Sequence, residues 1–135
     1  MPINITPGSC FLLPIPNNDY KHLFVVIANL NPSTGSIVIV SITTIDSDKC
    51  DKTTKLDIGD HPFIKHASYV NYYNARIIGI DRIQELISNQ KAFELERMNP
   101  DLLKRIISGV TQSNKTKYEI REIFMDFKFT GLNSE

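Results

Sequence analysis

The chain has 135 residues, 41% of them apolar, which suits one domain with its own core and excludes a disordered chain. Its 15 basic and 15 acidic side chains cancel, and they cancel again on either side of Gly79, six against six before it and nine against nine after it. That balance argues against a grip on duplex DNA through a general basic excess, and leaves room for short or single-stranded nucleic acid held by a local patch.

The apolar run Leu23 to Ile27 is far too short to span a bilayer, so no membrane association is expected. The N-terminus has no basic residue ahead of a long apolar stretch and does not read as a secretion signal. With Cys10 and Cys50 as its only cysteines, the chain reads as a cytoplasmic protein with reduced thiols.

In chain order, Ser9 to Ile15 is a short apolar run that Pro14 and Pro16 confine to a sheet edge or strand end. His22 to Leu30 and Ser36 to Ile45 are β-branched runs joined by Asn31-Pro32-Ser33-Thr34-Gly35, which predicts a hairpin. Asp46 to Thr54 reads as a solvated loop, Lys55 to Ile58 as a short strand, and Gly59-Asp60-His61-Pro62 as a turn. Ser68 to Ile78 resumes strand character. Five or six short strands without intervening helices imply a small barrel or sandwich over residues 1–79.

After Gly79 the period changes. Asp81 is positioned to cap a helix carrying Ile83, Leu86 and Ile87, and Phe93 and Leu95 offer one more strand. Asn99-Pro100 is an N-cap with proline at the first helical position, followed by the stripe Leu102, Leu103, Ile106, Ile107 and Val110. Thr116 and Glu119 have capping-box spacing ahead of Ile120, Ile123, Phe124 and Phe127. The expectation is therefore an α+β single domain, with three short helices over residues 80–129 packed on the barrel and a disordered end from Thr130 to Glu135.

Four segments give the first part a family resemblance. They are Pro7-Gly8 leading into Cys10 to Pro16; His22-Leu23-Phe24-Val25-Val26-Ile27-Ala28-Asn29; Ser41-Ile42-Thr43-Thr44; and Ser68-Tyr69-Val70. In that pattern the first 79 residues resemble the PemK/MazF toxin family, SH3-like barrels that cut RNA without a metal. The resemblance implies an SH3-like fold, a toxin-like endoribonuclease acting on single-stranded RNA, no cofactor, and an antitoxin or other regulatory protein as partner. It allows a homodimer. The family's catalytic arginine falls on His22 and its next proline on Leu23, while its catalytic threonine is kept as Thr43. The three-helix extension is a further departure.

Metal-free RNA cleavage needs a base, an acid and donors for the phosphorane charge. His22 suits a proton role near neutrality, with Thr43 as donor; otherwise His22 simply begins a surface strand beside Lys21. The densest chemical cluster is Asp60, His61, Lys65, His66 and Ser68, within ten residues. On a functional loop, His61 and His66 can move protons while Lys65 and Ser68 hold phosphate; on an ordinary loop they are only solvated. Tyr69 and Tyr73 share a strand face and either stack on bases or pack. His61 and His66, five apart and off a helix, carry no zinc signature, and no glycine spacing suits a nucleotide phosphate. Lys104, Arg105, Lys115, Lys117 and Arg121 bracket the last two helices, where Glu119, Glu122 and Asp126 dilute any basic reading face.

The rival to the ribonuclease is a non-catalytic SH3-like module binding a protein or nucleic acid. The two part on whether His22 and Thr43 share a cleft with His61 or His66.

Overall fold

In the computed structural model, residues 4–14, 21–31 and 35–133 are described, with side chains as far as Met125. The expected turn residues Pro32 to Thr34, with Ile15, Pro16 and the Phe127 side chain, lie outside them.

The β-branched runs pair as their composition predicts. β1 (Cys10–Pro14), β2 (Lys21–Asn31), β3 (Ser36–Thr44), β4 (Lys55–Leu56) and β5 (Ser68–Gly79) precede helix α1 (Ile80–Ser88). β6 (Phe93–Leu95), α2 (Pro100–Gln112) and α3 (Tyr118–Asn133) follow. The six strands form one antiparallel sheet in the order β4-β5-β3-β2-β1-β6. β6 comes from the helical part of the chain and closes the edge beside β1, so both parts share one sheet. At the β2–β3 turn, Gly35 takes φ +69 and its N–H returns to Asn31 O, a left-handed position that glycine fills without strain.

The sheet curls into a half-barrel. β4 and β6 are its outermost strands, yet His61 after β4 reaches Glu96 O after β6 at 2.6 Å, so the two edges are brought together. The fold is thus α+β, a curled six-stranded half-barrel with three helices. Alternation along each strand buries both faces. One face carries Leu23, Val25, Val40, Ile42, Val70 and Tyr72, covered by Ile106 and Val110 of α2 and Ile120 and Phe124 of α3. The opposite face carries Phe11, Leu13, Phe24, Val26, Ile37 and Ile39, covered in part by Ile83 and Leu86 of α1.

Tyr72 fixes the first of these layers. The β3–β5 register jumps between Ile39/Arg76 and Ser41/Asn71, and within that irregular stretch Tyr72 enters the core completely. Its hydroxyl donates to Ile106 O at 2.7 Å, so the Thr54 hydroxyl, 2.8 Å away, must be the donor to it. Gly109 makes room. A Cβ there would sit 2.6 Å from both Thr54 Oγ1 and Tyr72 Cζ, and closer still to the hydroxyl.

The helix ends follow the sequence in one case and depart from it in two. Asn99 Oδ1 accepts from the N–H groups of Asp101 and Leu102, as its position predicts. Asp81 does not cap α1: the N-cap is Gly79, and Asp81 lies in the first turn, where its charge favours the helix dipole. The Thr116–Glu119 capping box does not form. α3 begins at Tyr118, and the Thr116 hydroxyl is buried without a partner. The turn is held instead by Ser113, which accepts from Lys115 N–H, and by Arg121, which donates to Thr111 O and Ser113 O. The end expected to be disordered from Thr130 continues as helix backbone to Asn133; residues 134–135 lie outside the described residues.

Two substitutions test this packing. Gly109→Ala should cost about 1–3 kcal/mol through overpacking against Tyr72 and Thr54, and Ile106→Ala about 2–5 kcal/mol through the cavity it leaves. Urea denaturation measures both, and an undiminished midpoint for either would mean that α2 is not seated on the sheet in this way.

Candidate functional site

The sheet register arranges the candidate residues into two groups on opposite faces. Leu13 pairs with His22, Leu23 with Ile42, Thr43 with Tyr69, and Tyr69 with Lys55. The β2–β3 pairs end at Leu23–Ile42, and one step beyond them His22 and Thr43 are the next opposite positions. His22, Thr43, Tyr69 and Lys55 therefore form one cross-strand row, and residues directly opposite one another share a face. It is the face of Phe24 and Ser41, the next pair along.

His22, Thr43 and Tyr69 are each part-buried, and Lys55 is exposed at the row's end. Burial lowers the His22 pKa from its ordinary 6.5, so the imidazole is neutral at physiological pH and able to accept a proton. Burial, reinforced by the nearby Cys50, Asp46 and Asp51, raises the Tyr69 pKa, so its phenol keeps its proton. The row thus offers a base and two hydroxyl donors side by side.

The 59–68 loop sits at the same end of the sheet but on the other face. Its pocket of about 330 Å³ is lined by Leu23, Ile42, Thr44, Phe63, Ile64, Lys65, His66 and Ser68. Thr44 and Ser68 are a cross-strand pair one residue beyond Thr43 and Tyr69, so strand alternation turns them to the opposite side. Lys65 and His66 are exposed there, while Ser68 is buried and its hydroxyl donates to His66 O at 2.8 Å. His22 and Thr43 lie on one face, and the sheet separates them from His66, Lys65 and Ser68.

His61 has a different occupation. It is 2% exposed, its Nδ1 accepts from Phe63 N–H at 3.1 Å, and its Nε2–H donates to Glu96 O. Neither nitrogen is left for proton transfer, which places His61 in the architecture and outside a catalytic set. Sequence patterning could not show this, because Glu96 lies 35 residues away.

Other candidates fall out on the same physical grounds. Burial pushes the Cys10 thiol up to about 12 and keeps it protonated, despite Arg97 nearby. Among the described residues no group of three or more His, Cys, Asp or Glu side chains is placed to hold a metal ion, and no helix is long and apolar enough to cross a membrane. Three of the five cations near the last helices are engaged within the chain: Arg105 donates to Lys55 O, Arg121 to two carbonyls, and Lys117 lies 5.1 Å from the Tyr73 ring centre. Asp51, pushed up by burial but held below its ordinary value by hydrogen bonds from Ser113 and Thr53 and by nearby Lys115, ties the 46–54 loop to the end of α2. Sequence patterning singles out neither Lys55 nor Arg76; the available signal for Arg76 is an arginine set between Ala75 and Ile77 within a strand.

No family model matches this chain, and no curated protein matches it.

His61→Ala should behave as a structural lesion. Loss of its two hydrogen bonds should cost about 1–3 kcal/mol in a denaturant melt, with any activity per folded molecule unchanged. A fully stable but inactive His61→Ala would return His61 to the catalytic set.

Proposed function

We propose that the chain is a toxin-like, metal-independent endoribonuclease acting on single-stranded RNA, a protein of the PemK/MazF kind with an SH3-like barrel, restrained by an antitoxin and acting in the cytoplasm. The observation that carries this reading is the His22–Thr43–Tyr69 row: two residues on the positions that the resemblance assigns to catalysis are neighbours on one face, with a third proton-bearing group beside them.

In this reading neutral His22 takes the proton from a ribose 2′-hydroxyl, and the 2′-oxygen forms a bond to phosphorus as the bond to the 5′-oxygen breaks. Thr43 donates to the phosphoryl oxygen on which charge develops. Tyr69, which burial keeps protonated, supplies the proton to the departing 5′-oxygen. The products are a 2′,3′-cyclic phosphate and a 5′-hydroxyl end. Lys55, at the open end of the row, offers positive charge to the strand.

The second reading, a binding module without catalysis, has in its favour the criterion that parts the two, because the row shares no cleft with His61 or His66. The pocket of Lys65, His66 and Ser68 opens on the far face, so these side chains do not join the row in one cleft. On that reading RNA or a protein segment is held and left intact.

Incubation of the purified protein with mixed-sequence RNA in EDTA should give cleavage, reduced about 10²–10⁴-fold by His22→Ala and strongly by Thr43→Ala. Full activity in both variants would sink the assignment. Because burial lowers the His22 pKa and the base must be neutral, the rate should rise with pH through a midpoint below 6.5 and stay level above it until Tyr69 loses its proton above 10. An acid limb centred above 6.5 would contradict His22 as the base.

A further inference from the structure

The chain has five arginines, and four have an oxygen to donate to. Arg82 pairs with Glu85, and Arg97 holds Thr6 Oγ1, Ser9 Oγ and Pro7 O. Arg105 donates to Lys55 O, and Arg121 to Thr111 O and Ser113 O. Arg76 has none. Its guanidinium lies 5.1 Å from the centre of the Phe24 ring, and its Nε–H is enclosed without an acceptor. Burial lowers its pKa, yet an arginine does not give up its charge in a protein.

A half-buried cation without an anion is costly, since desolvation is not repaid by a counter-charge. The Phe24 ring returns only part of it. A second orphan lies beside this one. Ser41 faces Phe24 across the β2–β3 ladder, is fully buried, and its hydroxyl has no partner. Two buried donors without partners thus flank Phe24, Ser41 opposite it in the ladder and Arg76 over its ring, and mark a place that the described protein groups leave incomplete.

The position is informative. Phe24 is two residues from His22 on the same strand and face, about 7 Å along β2. Arg76 pairs with Ile39, opposite Val26, and reaches back over Phe24, so an anion against its open side would lie on the face of the His22–Thr43 row.

We propose that Arg76, laid on Phe24 and backed by Ser41, is an anion site that seats one backbone phosphate of a single-stranded nucleic acid beside His22 and Thr43. Its placement of that phosphate at the catalytic row rests on the ribonuclease reading; the site itself does not. The planar fork of Arg76 grips two phosphate oxygens at once, which a lysine does not reproduce.

The test uses a fluorescent single-stranded oligonucleotide with 2′-O-methyl riboses, which cannot be cleaved through the 2′-hydroxyl, and follows its anisotropy at several salt concentrations. Arg76→Gln should weaken binding about 10-fold and reduce the salt slope by about 0.7, the share of one phosphate on a single strand. Arg76→Lys should keep the slope and lose part of the affinity, and the exposed Arg82→Gln should match the wild type. In parallel, inorganic phosphate is titrated while the Arg76 Nε–H resonance is followed by NMR. If the wild type ignores the oligonucleotide but phosphate shifts that resonance, the anion site stands and the ribonuclease reading fails. Equal affinity and slope in Arg76→Gln, or no response of Arg76 to either probe, would overturn the proposal.

Discussion

The arrangement of this protein depends on one buried hydroxyl. Tyr72 leaves an irregular stretch of β5, crosses the core, and donates to a backbone carbonyl of α2 while accepting from Thr54. Burial and its surroundings push its pKa to about 12, so it remains a donor throughout the neutral range. The bond is possible only because residue 109 has no side chain. With α2 drawn onto the sheet in this way, and α3 with it, one face of the curled sheet becomes core for most of its length. What remains for chemistry is the end of that face beyond the helices and the part of the other face that α1 leaves uncovered.

That partition governs how the polar groups are shared out. A single step along antiparallel strands moves a side chain from one face to the other. Thr43 and Tyr69 therefore join His22 on one side, while Thr44 and Ser68 line the pocket with Lys65 and His66 on the other. The loop histidines divide as well: His61 ties the two edges of the half-barrel together, and His66 remains exposed. Local environment then sets the protonation of the first group, with His22 kept neutral and Tyr69 kept protonated by the same partial burial.

Much of the fold was legible in the sequence because it rests on local rules. Two β-branched runs about a Pro/Gly turn specify the β2–β3 hairpin, and Asn99-Pro100 specifies the start of α2. The misses share a cause. The Thr116–Glu119 spacing satisfies the capping rule, but the turn is organised by Ser113 and Arg121. Asp81 sits one residue inside a helix whose start is set by the end of β5. The site was legible as a list of residue types and not as an arrangement. The loop's density of Asp, His, Lys and Ser suggests one cleft with His22 and Thr43, whereas register and sheet curl, both non-local, keep Lys65, His66 and Ser68 in a pocket on one face, send His61 to an edge and leave His22 and Thr43 on the other face. Arg76 escaped notice for a related reason: a missing partner is a property of the folded state alone.

The central claim is chemical, that this row breaks RNA through the 2′-hydroxyl without a metal. It is met most directly by analysis of the ends produced when the purified protein acts on mixed-sequence RNA in the presence of a chelator. The account predicts 5′-hydroxyl ends paired with 2′,3′-cyclic phosphates. Intact RNA, or 5′-phosphate ends, would contradict it.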